Sequence, residues 1–222
     1  RVKENKASVG AGVLLPGLLW KLARRGFGGL ECLTGIPGSV GGAIRMNAGT
    51  RDGSIAERLI SVPLHYRSGK LEKRDRAELV FGYRWVELPP DAWIVGAVLE
   101  LKPMDPQQIE QKIRERMNDR RKEQPVEFPS AGSIFKNPPG DFAGLLIEAA
   151  GMKGERVGDA EVTTLHANYI INRGRAGASD VLALIRKVRE KVEQTFGVSL
   201  ELEIQVLGEQ IRSPGAHERN TG

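Results

Sequence analysis

The chain has 222 residues, 40% of them hydrophobic and 27% charged, with a net charge of +5. This length suits one large domain or two small ones, each with its own core, and no apolar run approaches the roughly 18–20 residues that span a bilayer. The single cysteine, Cys32, excludes an intrachain disulfide and suits a reducing cytosol; aromatics, at 5%, do not interleave with the basic residues, which argues against nucleic acid.

Arg1 to Lys6 lead into no apolar h-region, so no signal peptide is expected. A short helix is expected first: Pro16 fits an early helical position, Leu18, Leu19 and Leu22 form a stripe, and Gly26 fits the C-terminal cap. The stretch Gly28 to Gly53 reads as too irregular for a helix and too rich in glycine for an ordinary strand. Leu59–Tyr66 and Lys70–Arg74 flank Ser68-Gly69 as a hairpin, and Trp93–Leu101 is a further β-prone run.

A second part is expected to begin near Pro103 to Pro106. There Asp105 caps a helix with Pro106 at its first position and Ile109, Ile113 and Met117 on one face. Pro125 to Gly140 reads as a loop, Phe142 to Ala150 as a helix stopped by Gly151, and Ala167 to Asn172 as a strand. Ser179 is placed as the cap of a long helix carrying Val181, Leu184, Ile185, Val188, Val192 and Phe196, closed by Gly197. Val198 to Val206 alternates as a final strand. The tail after Gly208 is polar and aperiodic, and residues 209–222 are expected to be disordered. Strands alternating with helices give an α+β or α/β class.

Four segments carry candidate chemistry. Gly35-Ile36-Pro37-Gly38-Ser39-Val40-Gly41-Gly42, followed by Asn47, allows close backbone approach to a ligand and can aim N–H groups at phosphate. It is neither a dinucleotide fingerprint nor a P-loop, and a tight turn without a ligand remains the alternative. In Phe81-Gly82-Tyr83-Arg84, a lone arginine is more often surface. The aromatics Phe81, Tyr83 and Trp85 would anchor the segment and let Arg84 grip a carboxylate. Ser133 sits among small residues in Ser130 to Pro138, without a Gly-x-Ser-x-Gly elbow, and a plain turn serine is the competing reading. Glu203 lies on the expected last strand, with Glu201 as its same-face neighbour, and an ordinary solvent-facing strand residue is the competing reading.

The basic cluster Arg114, Arg116, Arg120, Arg121 and Lys122 is either a solvated helix face or an attractor of an anionic nucleotide. Cys32 reads as a small buried hydrophobe rather than a nucleophile. His65, His166 and His217 have no metal-ligand spacing, so no metal is expected. A triad of Ser133 and His166 lacks a supporting motif.

The order of these segments is more informative than any one of them. Gly35 to Ala43, Met46-Asn47-Ala48-Gly49, Phe81 to Arg84, Ala131 to Pro138 and Leu202-Glu203 together resemble the UDP-N-acetylenolpyruvoylglucosamine reductase (MurB) family, from about Val9 to Gly208. The short form of that family fits better.

The resemblance implies FAD reduced by NADPH, and reduction of UDP-N-acetylglucosamine-enolpyruvate to UDP-N-acetylmuramate for peptidoglycan. Ser133 falls on the proton donor to the enol carbon, and Arg84 and Glu203 on the pair that stabilises the developing enediolate. Gly35, Ile36, Pro37, Gly38, Ser39, Gly41, Gly42 and Asn47 fall on the flavin-contacting segment; Tyr83, Lys136 and Asn137 fall on substrate contacts, and the basic cluster near the UDP site.

The resemblance also implies a further N-terminal stretch that cradles the FAD pyrophosphate, so the chain is expected to be the remainder of a two-lobed FAD-binding domain. Residues 1–103 would form that partial domain, and 104–208 an α/β substrate-binding domain, with catalysis between them. Thr50-Arg51 and Gln205 depart from the residues many members carry. No membrane and no obligate protein partner are expected. The competing functions are a non-catalytic UDP-sugar-binding fragment, a related FAD oxidoreductase with another substrate, and a serine hydrolase.

Overall fold

The structure is a computed structural model that describes residues 1–208; the expected disordered tail, 209–222, lies outside the described residues. Contacts divide the chain into one unit ending at Glu123 and another beginning at Gln124. The join is therefore about twenty residues later than the one expected near Pro103 to Pro106. The reason is helix Pro106–Glu123, whose Ile109 and Ile113 are buried in the core of the first unit. Its cap is as expected: Asp105 Oδ1 accepts the Gln107 N–H at 2.8 Å.

The first unit is built on a six-stranded antiparallel sheet in the order Val2–Lys3, Lys6–Gly10, Gly96–Glu100, Leu59–Tyr66, Ala92–Ile94, with Leu71–Asp75 also paired to Leu59–Tyr66. The expected hairpin at Ser68-Gly69 is present, closed by the Tyr66 N–H on the Lys70 carbonyl at 2.9 Å, with Gly69 at φ +85°. The Trp93–Leu101 run is broken into two strands at Val95, whose N–H turns to the Pro63 carbonyl at 3.1 Å.

Helix α1, Leu15–Ala23, has proline in its first turn and buries Leu15, Leu18, Leu19 and Leu22. Its leucine stripe is what holds it, since each buried leucine contributes about 1.5–3 kcal/mol of hydrophobic stabilisation. The glycine-rich stretch departs from expectation. It contains helix α2, Val40–Arg45, with Ser39 as its cap. The helix forms despite Gly41 and Gly42 because Val40, Ala43 and Ile44 bury one face, and that burial outweighs the glycine entropy cost. Helix α3 is Pro106–Glu123.

The second unit carries a four-stranded antiparallel sheet in the order Ser130–Ser133, Tyr169–Asn172, Ala160–Val162, Arg156–Val157. With antiparallel sheets in both units the chain is α+β. Helices α4, Ala143–Ala149, and α5, Ala178–Phe196, pack on this sheet; Leu146 and Ile147 meet Leu184, Ile185, Val188 and Val192 in one core. Two local expectations are corrected. The cap of α5 is Gly177 rather than Ser179, because the Asp180 carboxylate reaches back to the Gly177 N–H at 2.9 Å. Val198 to Val206 is not a regular strand: only Leu202 bridges, to Phe135, and Val206 is exposed. The alternation survives as burial of Leu200 and partial burial of Leu202 and Ile204, without a ladder to extend it.

Candidate active site

In the first unit, the segment entering α2 lies against Ala11 to Leu15. Gly41 N–H donates to the Ala11 carbonyl at 2.8 Å, Val40 N–H to Val13 at 2.9 Å, and Leu15 N–H to Gly38 at 2.9 Å. Gly42 N–H is taken by Ser39 Oγ at 3.3 Å. These N–H groups are therefore engaged inside the unit and do not form the phosphate nest the sequence suggested.

The glycines serve other ends. Gly35 (φ +75°) and Gly38 (φ +121°) take left-handed backbone, and a Cβ on Gly41 would sit 2.9 Å from that of Ala11. Over Gly38 nothing approaches within 4 Å, so one face of an exposed backbone is open.

Arg120 of α3 lies under Gly35, where an added Cβ would come within 2.5 Å of its Cδ, and its guanidinium reaches the Thr34 carbonyl at 3.4 Å. Arg116 pairs with Asp52 at 2.6 Å, and Arg114 covers the Trp20 ring at 5.3 Å. Much of the basic cluster thus braces the glycine segment and its neighbours rather than forming a free anionic attractor. Cys32 is half-buried, and burial, then nearby Glu57, pushes its thiol up, which disfavours a thiolate.

At the far end of α2, Asn47 takes φ +41° and its Nδ2 donates to the Gly82 carbonyl at 2.9 Å. That contact holds the hairpin in which Phe81–Gly82 pairs with Trp85–Val86 and Tyr83 and Arg84 form the turn. The anchoring differs from expectation. Phe81 packs on the core and against Arg76, but Tyr83 and Trp85 are exposed. Trp85 instead folds over Gly82, where any Cβ would meet its ring at 2.3 Å. Arg84 is half-buried, stands 4.8 Å over the Tyr83 ring, and takes φ +66°, unusual for a side chain of its size. Such strain, of order 1–3 kcal/mol, gathers at functional sites.

Two polar atoms flanking the glycine segment, Thr34 Oγ1 and Asn47 Oδ1, are buried without a hydrogen-bond partner. Open backbone over Gly38 together with these unmet groups fits a flat ligand with polar edges, as a flavin nucleotide is.

In the second unit, Ser133 ends strand Ser130–Ser133 beside a register shift, after Gly132 at φ +83°. The chain then runs along Glu201 to Glu203. Lys136 N–H donates to the Glu201 carbonyl at 2.8 Å, and Glu203 N–H to the Ile134 carbonyl at 2.8 Å. This brings Ser133, Lys136 and Glu203 onto one edge of the unit. The two glutamates are now distinct: Glu201 is exposed and pairs with Lys136, whereas Glu203 is half-buried beside the Ser133 segment.

Asn137 has a structural task, because its Oδ1 accepts the Ala143 N–H at 3.1 Å at the start of α4. His166 Nδ1 accepts the Asn168 N–H at 3.2 Å and its ring meets Tyr169 edge-on at 5.0 Å, so it shapes the turn before strand Tyr169–Asn172.

Sequence reasoning missed Asn168. It is 4% exposed, and its amide pairs with both backbone groups of Phe135, accepting at 2.9 Å and donating at 2.8 Å. It also missed Glu161, buried and held by Arg173 at 2.8 Å and by Arg156. Arg173 in turn covers Phe128, at 4.6 Å, just before the Ser133 strand. Neither residue belongs to a motif or an apolar period, so no local signal marked them. Among the described residues no His/Cys/Asp/Glu group could hold a metal ion, and no helix is long and apolar enough to cross a membrane.

Comparisons with known proteins bear on the family and the fold. Residues 124–207 match the model for the UDP-N-acetylenolpyruvoylglucosamine reductase C-terminal domain, and residues 1–74 match an FAD binding domain. The chain is 47% identical over 208 residues to UDP-N-acetylenolpyruvoylglucosamine reductase of Moorella thermoacetica, covering 94% of this chain and 69% of that protein. It is 45% identical over 206 residues to the reductase of the same name from Geobacter metallireducens, covering 93% of this chain and 68% of that one. Among solved structures, the crystal structure of UDP-N-acetylenolpyruvylglucosamine reductase (MurB) from Thermus caldophilus matches with a TM-score of 0.82 at 43% identity, over 93% of this chain and 74% of that one.

Proposed function

We propose a function from one premise: the chain belongs to the UDP-N-acetylenolpyruvoylglucosamine reductase family. It is an FAD-dependent oxidoreductase that reduces the enolpyruvyl group of UDP-N-acetylglucosamine-enolpyruvate, giving UDP-N-acetylmuramate for peptidoglycan. Gly35 to Gly42 and Asn47 would hold FAD, which, when bound and reduced by NADPH, would supply a hydride.

The chain's own groups handle charge and proton. The double bond is conjugated with a carboxylate, so hydride addition at its terminal carbon drives electron density onto the carboxyl oxygens. Arg84, preset by its strained turn and the Tyr83 ring, binds that carboxylate and stabilises the charge as it grows. The Glu203 carboxyl, in its protonated form, donates a hydrogen bond to the same oxygens. The Ser133 hydroxyl gives its proton to the carbon that bears the ether oxygen, completing the addition of one hydride and one proton. Gly132 leaves space beside Ser133, since nothing lies within 4 Å of a Cβ placed there. Lys136 exchanges Glu201 for the nucleotide diphosphate when substrate binds, and the reaction takes place in the cytosol.

The observation that carries the reading is the Glu203 N–H to Ile134 carbonyl bond at 2.8 Å, which sets a glutamate beside the Ser133 segment. This favours the reductase over a serine hydrolase, since His166 Nδ1 accepts the Asn168 N–H and so is not the N–H donor that a triad carboxylate would orient. The test is mass spectrometry of the UDP-sugar after incubation with FAD and NADPH. Uptake of one hydride and one proton, dependent on both cofactors, is expected. An unchanged sugar alongside bound flavin that NADPH reduces would indicate a related oxidoreductase with another substrate, and overturn the reading.

A further inference from the structure

We propose that Asn47 is a positioning residue for Arg84: its side-chain amide sets the turn from which the arginine reaches the substrate carboxylate. The inference rests on the carboxylate-binding role of Arg84 proposed above and goes beyond placing Asn47 on the flavin-contacting segment.

Asn47 Nδ2 donates to the Gly82 carbonyl at 2.9 Å, across a sequence separation of 35 residues. The carbonyl acceptor fixes which way the amide points, because only the NH2 end can face it. Gly82 pairs with Trp85 across the hairpin, so the peptide that Asn47 holds lies at the base of the Tyr83-Arg84 turn. A second tie from the end of α2, the Arg45 guanidinium on the Val86 carbonyl, is longer at 3.5 Å. The turn needs such support. Arg84 sits at φ +66° without glycine's freedom, and its flanking rings, Tyr83 and Trp85, are exposed and cannot clamp it by burial.

The backbone at Asn47 serves the same end. Its N–H bonds the Ile44 carbonyl at 3.1 Å, and φ +41° sends the side chain off the end of the helix, a conformation that asparagine tolerates better than most residues. Asparagine therefore combines three properties: it accepts the left-handed backbone, is short enough to be rigid, and offers an N–H donor. Aspartate has the first two and lacks the third.

The test uses the full chain and calorimetric titration with two nucleotide sugars, UDP-N-acetylmuramate, which bears the carboxylate, and UDP-N-acetylglucosamine, which does not. Asn47→Gly removes the amide while accepting the left-handed φ, so it keeps the fold. Its affinity for the carboxylate-bearing sugar should fall roughly 3- to 10-fold, the worth of one hydrogen bond, with no change for the other sugar. Asn47→Asp should fall at least as far, for want of the donor. Arg84→Ala should lose the same preference, and Asn47→Gly/Arg84→Ala should be no weaker than Arg84→Ala alone, since the two act as one unit. Additive losses, or an equal loss for both sugars, would overturn the positioning role while leaving Arg84 in place. An Arg84→Ala chain that still prefers the carboxylate would overturn the underlying assignment of Arg84, and this inference with it.

Discussion

Asn168→Ala should unpick the segment that follows Ser133. In the native unit the Asn168 amide pairs with the Phe135 N–H at 2.9 Å and the Phe135 carbonyl at 2.8 Å, and Phe135 is 1% exposed. Alanine orphans both backbone groups where water has little access. Each buried, unmet group costs about 1–3 kcal/mol; some solvent enters the vacated space, so the sum is about 2–4 kcal/mol.

Asn168→Asp refines the argument. Its carboxylate still accepts from the Phe135 N–H but sets negative charge against the Phe135 carbonyl; only the protonated acid can donate there. Its folded pKa must therefore lie above the unfolded one. The stability that the protonated acid provides is complete below the unfolded carboxylate pKa, about 3.9, and is lost as pH rises through the folded value. The assay is urea unfolding with hydrogen exchange at the Phe135 and Ile170 amides, at pH 4 and pH 7. An alanine variant within about 0.5 kcal/mol of the parent, or an aspartate variant equally stable at both pH values relative to the parent, would refute the reasoning.

The other predictions concern charge, glycine and chemistry. Hydrogen bonds from Arg173 first, and from Arg156, hold the Glu161 carboxyl below its usual range, so the stability it adds is present above about pH 4–5 and is lost as pH falls through the lowered folded value. Glu161→Gln should cost about 1–3 kcal/mol at pH 7, discounted because the arginines are 38% and 58% exposed, and should flatten acid unfolding followed by circular dichroism; an unchanged acid slope would refute this. Gly41→Ala places a Cβ 2.9 Å from that of Ala11, whereas Gly42→Ala meets only Ser39 Oγ at 3.5 Å. The first should lower stability by about 1–3 kcal/mol and weaken FAD binding in a fluorescence titration, the second should leave stability nearly unchanged, and the reverse order would contradict the packing. Glu201→Gln releases Lys136 and should tighten nucleotide-sugar binding by up to about 5-fold, the ceiling for an exposed pair; weaker binding would count against Lys136 meeting the diphosphate.

The elements visible in the sequence are those in which one local rule suffices. The α1 stripe, the Ser68-Gly69 hairpin, the Asp105 cap and the Gly197 stop each rest on residues adjacent along the chain, and each is present. The failures are tertiary. Helix α2 looks too rich in glycine until Val40, Ala43 and Ile44 are buried, and the Val198 to Val206 alternation found no neighbouring strand beyond Phe135. The candidate residues were legible through a resemblance carried by several motifs in order. What holds them was not, because Asn47 reaches Gly82 and Asn168 reaches Phe135 across 35 and 33 positions of sequence, and Arg120 reaches Thr34 across 86.

The central claim is that the Ser133 hydroxyl completes the reduction begun by hydride transfer. Its most direct test is anaerobic rapid mixing of the FAD-loaded chain, reduced with NADPH, against UDP-N-acetylglucosamine-enolpyruvate, monitored by flavin absorbance with the products quenched for analysis. Ser133→Ala should keep flavin reduction by NADPH at the parent rate and lower the formation of UDP-N-acetylmuramate by about 10²- to 10⁴-fold, the usual worth of a positioned proton donor. A Ser133→Ala chain that forms product as fast as the parent would contradict the account.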